Sequence, residues 1–446
     1  MADKSDILLL GATGYTGGLI TRYLSAHPQR SQFTLALGAR STQKLDKLVQ
    51  DLDLHESVKT VQVDVTKPDE VEAAVKGARV VINTVGPYWL WGTPVVRSCV
   101  RNGVHYVDLT GETTWIARIV FELDYFATKT KSIIVPACGF DSIPSDISAH
   151  LANKTLKSLG PSPTGEYYSA GNSLSSQAIS GGISGGTVAS MMTALEVTPK
   201  HLIRQSKIPY AISPIVGVRP AFRLLYDLPI PGAKTLRGAI FFMAPSNRAV
   251  VQRSFGLLAQ QAIEKKDKES AVITYGSQFC YDEYMETPGL LSAVALTVAL
   301  IVGISVLLIR PTRYLAKKIL PQSGEGPSDE KMQKGFLKLT NITSAASDPS
   351  VKVKTVIKGK GDPGYLLTAI MISESALCML LPPVSSGQNG NTEKGNVHAL
   401  PVLASGGGIL TPMTAFGDEL IQRLHESGRF EFSSSVVEDS VTKKHY

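Results

Sequence analysis

The chain has 446 residues, of which 43% are hydrophobic and 19% charged, so it carries enough apolar material for buried cores. Its net charge of +7 is small for this length and is not gathered in a basic stripe with interleaved aromatic residues, which argues against a nucleic-acid-binding protein. The four cysteines lie far apart without a Cys-x-x-Cys pair. The sequence therefore predicts neither a metal site nor a disulfide framework, and it favours a reducing compartment.

The N-terminal segment has the pattern of strand, glycine-rich turn and helix. The apolar run Ile7–Leu10 predicts a buried strand, GATGYTGG follows at 11–18, and an amphipathic helical pattern comes next. Here Gly11 permits a tight turn, Gly14 lets backbone amides approach a pyrophosphate, and Gly17 lets the helix lie close to the strand. We expect a phosphate-binding turn, the alternative being a purely structural one.

The second predicted strand, 33–40, ends in Arg40, and Ser41 follows it. It lacks the acidic residue that would accept hydrogen bonds from the ribose 2′-hydroxyl of NAD. A guanidinium at this place can pair with a 2′-phosphate and stack on adenine. The pattern favours NADP(H), and the alternative is a solvated arginine at a strand end.

Strands alternate with helices as far as residue 139, which predicts a doubly wound parallel sheet. Ligands bind at the carboxyl edge of such sheets. We therefore expect Asp64 on the adenine side and a close-approach loop, Gly86 and Pro87, beside the nicotinamide ribose. The predicted cofactor contacts are Gly11, Thr13, Gly14, Tyr15, Gly17, Arg40, Ser41, Asp64, Val65, Val85, Gly86 and Pro87.

A set of motifs occurs in fixed order: GATGYTG, GAR, NTVGPY, YVDLTGE and PACGFDSIPSD, then SGGISGGTVASM (180–191) and GGGILTPMTAFGDELIQRL (406–424). This set resembles the saccharopine dehydrogenase-like oxidoreductases, which include the trans-acting enoyl reductases, over nearly the whole chain. The resemblance implies an NADP-dependent oxidoreductase with a Rossmann domain and an α+β domain. It does not fix a substrate.

The fold class that we predict is α/β, with an N-terminal Rossmann-type sheet, a second α+β domain and one membrane-contacting hydrophobic helix. The predicted divisions are 1–140 for the NADP-binding domain, 141–286 with 330–400 for the substrate or dimerisation domain, 287–320 for the hydrophobic segment with its basic flank, 401–432 for a C-terminal helix returning to the first domain, and 433–446 for a flexible tail.

Three side chains that follow strands four to six are candidates for the proton donor that a nicotinamide enzyme needs. They are Tyr88, after the Gly-Pro turn, Glu112 and Asp141. Glu112 and Asp141 could instead only cap helices.

The Gly/Ser-rich stretch 180–191 has no evident buried strand before it, so we interpret it as a substrate-facing loop or a plain connector.

Residues 287–309 carry no charge, and Leu290–Ile309 is long enough for a bilayer core at about 1.5 Å per residue. Basic residues follow it and acidic residues precede it. We expect membrane or lipid-droplet contact through an in-plane or re-entrant hairpin with Gly303 near its bend. The alternatives are the wall of a dimer, a buried core helix and a single span.

The stretches 322–331 and 384–396 predict exposed polar loops.

These patterns predict an NADPH-dependent reductase of an apolar, membrane-resident lipid or isoprenoid, acting on a C=C or C=O bond. We expect it on the cytosolic face of the endoplasmic reticulum or lipid droplets, or alternatively on a mitochondrial membrane, with a homodimer left open. One alternative is a non-catalytic NADP(H)-binding membrane or lipid-droplet protein. Another is an amino-acid (imine) reductase, for which Arg219, Arg223 and Arg237 could clamp carboxylates.

Overall fold

The computed structural model describes residues 4–162, 165–322, 324–382 and 400–437, which include two sheets of seven strands. The first sheet is wholly parallel. Its strands are β1 (Ser5–Leu10), β2 (Leu35–Ala39), β3 (Lys59–Gln62), β4 (Ala78–Asn83), β5 (His105–Asp108), β6 (Ile133–Val135) and β13 (Gly408–Ile409). The predicted Rossmann-type sheet is confirmed.

The strand order of this sheet creates the crevice for a ligand. The order is β13-β6-β5-β4-β1-β2-β3, so the chain reverses direction across the sheet between β1 and β4. The connections that follow β1 and β4 run in opposite directions from this point. A crevice therefore opens between them at the carboxyl edge of the sheet. Residues Ile7–Leu10 are buried on both faces, as their continuous apolar run requires.

The second sheet is mixed, with the order β14-β12-β11-β7-β10-β9-β8 and β7 parallel to β10. Its strands are β7 (Ala170–Ser180), β8 (Leu225–Leu228), β9 (Leu236–Ala239), β10 (Cys280–Thr287), β11 (Phe336–Ala345), β12 (Lys352–Lys360) and β14 (Phe430–Val437). The predicted second α+β domain is thereby confirmed.

The helices cover both sheets and connect them. They are α1 (Tyr15–Ser25), α2 (Thr42–Asp51), α3 (Pro68–Lys76), α4 (Tyr88–Asn102), α5 (Thr113–Thr130), α6 (Ile143–Ser158), α7 (Gly185–Glu196), α8 (Lys200–Ser206), α9 (Ala244–Lys265), α10 (Lys268–Ile273), α11 (Leu290–Leu308), α12 (Arg310–Ile319), α13 (Asp329–Lys334), α14 (Leu366–Cys378), α15 (Val402–Gly406), α16 (Pro412–Ala415) and α17 (Gly417–Glu426).

The C-terminal third differs from its prediction in three places. Helix α14 contacts α1, β4 and β5 of the first sheet, although its sequence range falls in the predicted second domain. The predicted C-terminal helix 401–432 is divided among three helices, strand β13 and the start of β14. Residues 433–437 belong to β14, which pairs with β12, so the tail predicted from 433 is wrong there. Residues 438–446 and the predicted loop 384–396 lie outside the described residues.

The apolar helix α11 stands out from the second sheet. Its first half rests on β9 and β10 through Ala293 and Thr297, whereas residues 301–306 are all exposed. Among the described residues it is the one helix long and apolar enough to cross a membrane, and 11% of its most apolar window is buried. The alternative of a buried core helix is therefore excluded.

The chain turns back after α11, at Ile309, and enters α12. Helix α11 runs unbroken through Gly303, so the bend predicted there is wrong. Arg313 and Lys317 of α12 pair with Glu196 of α7 at 3.2 and 2.7 Å. Because β10 precedes this hairpin and β11 follows it, both flanking β7, a single span that separates the two halves is excluded.

A buried ionic cluster ties α1 to the C-terminal helices. The Glu374 carboxylate accepts a hydrogen bond from Tyr23, lies 3.0 Å from His27 Nε2 and pairs with Arg423 Nε at 2.8 Å. Burial alone raises the pKa of Glu374, but the hydrogen bond with His27 and the charge of Arg423 outweigh it, so this pKa lies below its ordinary value. The cluster fixes the helix that begins at the glycine turn.

We expect Glu374→Gln to lower the free energy of unfolding by about 3–5 kcal/mol at pH 7, because it leaves the Arg423 guanidinium buried without a counter-charge. The wild-type carboxyl has a lower pKa folded than unfolded, so its contribution is present above about pH 4.3 and is lost as the pH falls further. Urea denaturation at several pH values measures both effects. Glu330→Gln, at an exposed pair with Lys334, is the control, and equal losses in the two variants would contradict the account.

Candidate functional site

The glycine turn between β1 and α1 has the shape that a diphosphate requires. Gly11 has a φ of +83°, and a Cβ there would lie 2.6 Å from Thr84 Oγ1. A Cβ at Gly17 would lie 2.1 Å from the Gly11 carbonyl oxygen, so only glycine lets α1 approach the turn this closely. Gly14 is the exposed N-cap of α1 and provides no side-chain cap, which leaves the first amides of the helix for an anion.

Thr13 and Tyr15 lie in the same turn, both half-buried. The Tyr15 hydroxyl donates to the Pro327 carbonyl, and its ring meets the edge of Tyr365 at 5.3 Å. Burial, followed by the charge of Asp362, raises the pKa of Tyr15 to about 12. The Tyr15 side chain therefore joins the turn to Pro327 and Tyr365, and its backbone amide is the group left for an anion.

Arg40 and Ser41 follow β2, next to the end of β3. Arg40 is exposed, and Ser41 Oγ caps α2 by accepting a hydrogen bond from the Lys44 amide at 3.3 Å. Hydrogen bonds from the amide and hydroxyl of Thr66 lower the pKa of Asp64, with a smaller contribution from the charge of Arg40. Arg40 and Asp64 thus lie near each other at the adenine end of the crevice.

Val65, Val85, Gly86 and Pro87 line the loops after β3 and β4. Val65 is buried in the core, so only its backbone can reach a cofactor, whereas Gly86 is exposed and its peptide bond to Pro87 is cis. Thr84 Oγ1 donates to the Leu10 carbonyl at 2.9 Å and thereby joins this loop to β1. Ten of the twelve predicted cofactor residues therefore belong to loops along one edge of the sheet, and the other two, Tyr15 and Gly17, lie in the first turn of α1 at the same edge.

We expect Arg40→Ala to weaken NADPH binding about 10- to 100-fold by removing a charged hydrogen bond to the 2′-phosphate. NADH, which lacks that phosphate, should bind the variant and the wild type alike. Fluorescence titration with both nucleotides measures this, and Arg101→Ala, at an exposed position of α4, is the control. Equal losses for the two nucleotides would contradict this role of Arg40.

Tyr88 lies in the core rather than at the crevice. It is buried against Trp115, and its hydroxyl donates to the Asn83 carbonyl at 3.0 Å while accepting from the Leu109 amide at 3.2 Å. Burial, followed by the charge of Asp108, raises the pKa of Tyr88 far above 10. The hydroxyl joins the ends of β4 and β5, and this leaves it no proton to offer a substrate.

Glu112 holds three parts of the site together. Its carboxylate accepts hydrogen bonds from the backbone amides of Tyr88 and Trp89, at 2.9 and 2.8 Å, and from Ser190 Oγ at 2.9 Å. The first two satisfy the N-terminus of α4, and the third attaches α7 from the second domain. This geometry makes Glu112 a positioning residue for the Gly86–Pro87 loop.

Asp141 differs from the other two candidate proton donors, because its carboxylate has no hydrogen-bond partner among the described residues. It follows β6 at the carboxyl edge of the sheet and is half-buried. Within the part of the chain that the structure describes, nothing donates a hydrogen bond to its carboxylate. Its Oδ2 lies 2.9 Å from the place that a Cβ on Gly111 would take, and Ser246 Oγ lies 4.0 Å from the same place. Burial raises the pKa of Asp141 to about 6.

The loop at 180–184 and α7 lie over this edge. Strand β7 comes directly before the loop, which corrects the expectation that no buried strand precedes it. Tyr365 accepts a hydrogen bond from the Ser184 amide, and Thr187 Oγ1 lies 3.0 Å from the same hydroxyl. Sequence reasoning missed Tyr365, Ser190 and Ser246, because isolated hydroxyls carry no motif and their partners are distant in the sequence.

The comparisons with known proteins agree with this geometry. Residues 7–133 match the family model described as the saccharopine dehydrogenase NADP binding domain. A protein of Mycobacterium tuberculosis named as a trans-acting enoyl reductase is 31% identical over 442 residues, covering 95% of this chain and 96% of its own length. A trans-acting enoyl reductase of Mycobacterium bovis is 30% identical over 434 residues, with the same two coverages.

Among solved structures, the apo saccharopine dehydrogenase (L-Glu forming) of Saccharomyces cerevisiae is 12% identical, with a TM-score of 0.49, covering 97% of this chain and 100% of that one. The match to an NADP binding domain falls on residues 7–133, the part of the chain that contains the crevice described above. The chain is thus an NADP-dependent oxidoreductase that belongs to the saccharopine dehydrogenase-like family, together with the trans-acting enoyl reductases.

Proposed function

We propose that the protein reduces a C=C or C=O bond of an apolar, membrane-resident lipid or isoprenoid with NADPH. One observation carries the proposal: the crevice, where Asp141 has no hydrogen-bond partner among the described residues, shares a chain with the exposed apolar helix α11. The enoyl reductase names of the relatives support a C=C bond over a C=O bond.

Bound NADPH would supply a hydride at the carboxyl edge of the sheet. The Gly14 amide donates to the Gly11 carbonyl at 2.9 Å and closes the turn, so the amides at the start of α1, beginning with Tyr15, would hold the diphosphate. Arg40 would pair with the 2′-phosphate. Glu112 holds the Gly86–Pro87 loop against α7, so the loop and the helix would keep fixed positions beside the reacting atoms. These residues bind and orient the reactants, and none of them has to move a proton.

Asp141 is the proton donor in this proposal. Its carboxyl bears no hydrogen bond from a described residue, so a substrate atom can receive its proton. With a pKa of about 6, a useful fraction of it stays protonated near neutral pH. Tyr88 and Glu112 have their polar atoms engaged in joining backbone segments, which favours Asp141 among the three predicted candidates.

The α11–α12 hairpin is the membrane contact in this proposal. The exposed apolar half of α11 would lie in the acyl region, and Arg310 and Lys318 of α12 would face anionic headgroups. We infer a site on the cytosolic face of the endoplasmic reticulum or of lipid droplets, with a mitochondrial membrane as the alternative.

An assay with separated extracts tests the proposal. NADPH oxidation by the detergent-purified protein should be stimulated by the apolar fraction of a cell lipid extract and not by the water-soluble fraction. Stimulation by the amino-acid fraction would favour imine reduction instead. The structure offers that alternative little support, because Arg237 pairs with Asp227 at the surface while Arg219 and Arg223 lie on an exposed loop.

A further inference from the structure

The loop between Val218 and Leu225 carries exposed apolar and basic side chains side by side. Phe222 is 87% exposed, and Val218, Leu224 and Leu225 are exposed as well. Neighbouring exposed apolar side chains lower the solubility of a protein unless another surface covers them. The composition of this loop therefore indicates that it contacts another surface.

Both ends of this loop are fixed, and one end is fixed to the apolar helix. The Tyr210 hydroxyl donates to the Val218 carbonyl at 2.7 Å, and Thr297 Oγ1 of α11 donates to the Leu224 carbonyl at 3.2 Å. Thr297 is buried on the docked side of α11, so the loop emerges beside that helix. Phe222, two residues from the second anchor, is thus carried by the same support as the membrane hairpin.

The charge of the loop indicates what it meets. Arg219 and Arg223 are exposed and form no ion pair with any described residue. Arg310 and Lys318 of α12, the helix that follows α11, are exposed as well. Apolar side chains flanked by unpaired cations suit the boundary between anionic headgroups and acyl chains, where an aromatic ring enters and the cations face phosphates.

We propose that loop 218–224, which leads into β8, is a second lipid-contacting element, which enters an anionic bilayer beside α11 and fixes the orientation of the enzyme on it. A single helix could rotate or tilt on a membrane, whereas a helix and a loop held together by Thr297 give two points of contact. This inference rests on the proposed membrane contact of α11 and adds the element that orients it.

The test measures partition of the full chain into phosphatidylcholine vesicles with and without phosphatidylserine. Phe222→Ser should lower the partition coefficient roughly tenfold. Arg219→Gln combined with Arg223→Gln should lower it about 30-fold on the phosphatidylserine vesicles alone, at about 1 kcal/mol per charge. Phe121→Ser is the matched control, because Phe121 is a 92% exposed phenylalanine on α5 of the first domain. NADPH affinity, measured on each variant, reports intact folding.

Binding through α11 could be so tight that the partition coefficients of the variants do not differ. In that case a position-specific measurement shows whether residue 222 contacts the lipid. Phe222→Cys and Phe121→Cys are each labelled with an environment-sensitive fluorophore, and the labelled wild type gives the background from the native cysteines. The label at 222 should become protected from an aqueous quencher on vesicles, and the label at 121 should not.

The outcomes distinguish a failure of the proposed loop contact from a failure of the proposed membrane contact of α11. If the wild type binds vesicles but position 222 stays open to the quencher and Phe222→Ser binds normally, the loop is not a lipid contact while α11 remains one. If the wild type does not bind vesicles, the membrane part of the proposed function fails, and this inference fails with it. Protection of position 222 in a protein dimer without vesicles would assign the loop to a second copy of the chain.

Discussion

Asp141→Asn should lower kcat for substrate reduction about a hundred- to ten-thousand-fold while NADPH affinity stays unchanged. An amide keeps the volume of the carboxyl but has no proton of suitable acidity to give. The carboxylate contacts no described hydrogen-bond donor, so the substitution breaks no structural bond. Steady-state kinetics and NADPH titration on the same samples separate the chemical step from cofactor binding.

The pH dependence of this reaction follows from the same residue. A general acid must be protonated, and burial places the pKa of Asp141 at about 6, so the wild-type kcat should fall about tenfold per pH unit above that value. The residual rate of Asp141→Asn should lose this dependence, whereas Asp51→Asn, at an exposed site on α2, should behave as wild type. A variant at 141 with wild-type kcat and pH profile would remove Asp141 from the mechanism.

Gly17→Ala should weaken NADPH binding at least about a hundredfold, because the new methyl group forces the turn away from the helix end by a large fraction of an ångström or more. Its Cβ would lie 2.1 Å from the Gly11 carbonyl oxygen, which is backbone and cannot rotate aside. The loss should therefore appear for NADPH and NADH equally, unlike the loss for Arg40→Ala.

The neighbouring glycine supplies the control. A Cβ at Gly18 would meet nothing within 4 Å, so Gly18→Ala should bind NADPH normally. It should also raise stability by roughly 0.5–1 kcal/mol, since alanine is the better helix former. If both alanine variants bind NADPH alike, the close approach of α1 to the turn is not what shapes the cofactor site.

Sequence reasoning located the Rossmann half because its strands are short apolar runs followed by glycines, as at Ile7–Leu10 and Gly11. It missed β7 because the buried side chains of that strand are polar. Ser173, Ser175 and Gln177 are all fully buried and take partners from other elements, among them Thr343 and Glu283. Alternating hydrophobicity cannot detect a strand whose inward side chains are serines.

Local sequence patterns also fail to distinguish the three candidate proton donors. Tyr88, Glu112 and Asp141 are equivalent in sequence, since each follows a strand of the first sheet. They differ in what surrounds them: the Tyr88 hydroxyl joins two strands, and Glu112 receives Ser190 from a helix 78 residues away, whereas Asp141 receives no described partner. Long-range partners of this kind carry no local sequence signal.

Transfer of deuterium from NADPH to a lipid would show lipid reduction by this protein without knowledge of the substrate. The full-length protein is incubated with NADPH deuterated at C4 of the nicotinamide and with vesicles made from a total lipid extract, and the lipids are examined by mass spectrometry. We expect one lipid class to gain a single deuterium and a single proton with the wild type and to gain neither with Gly17→Ala. Tight NADPH binding without deuterium in any lipid, or with deuterium in a water-soluble amino acid, would contradict this expectation.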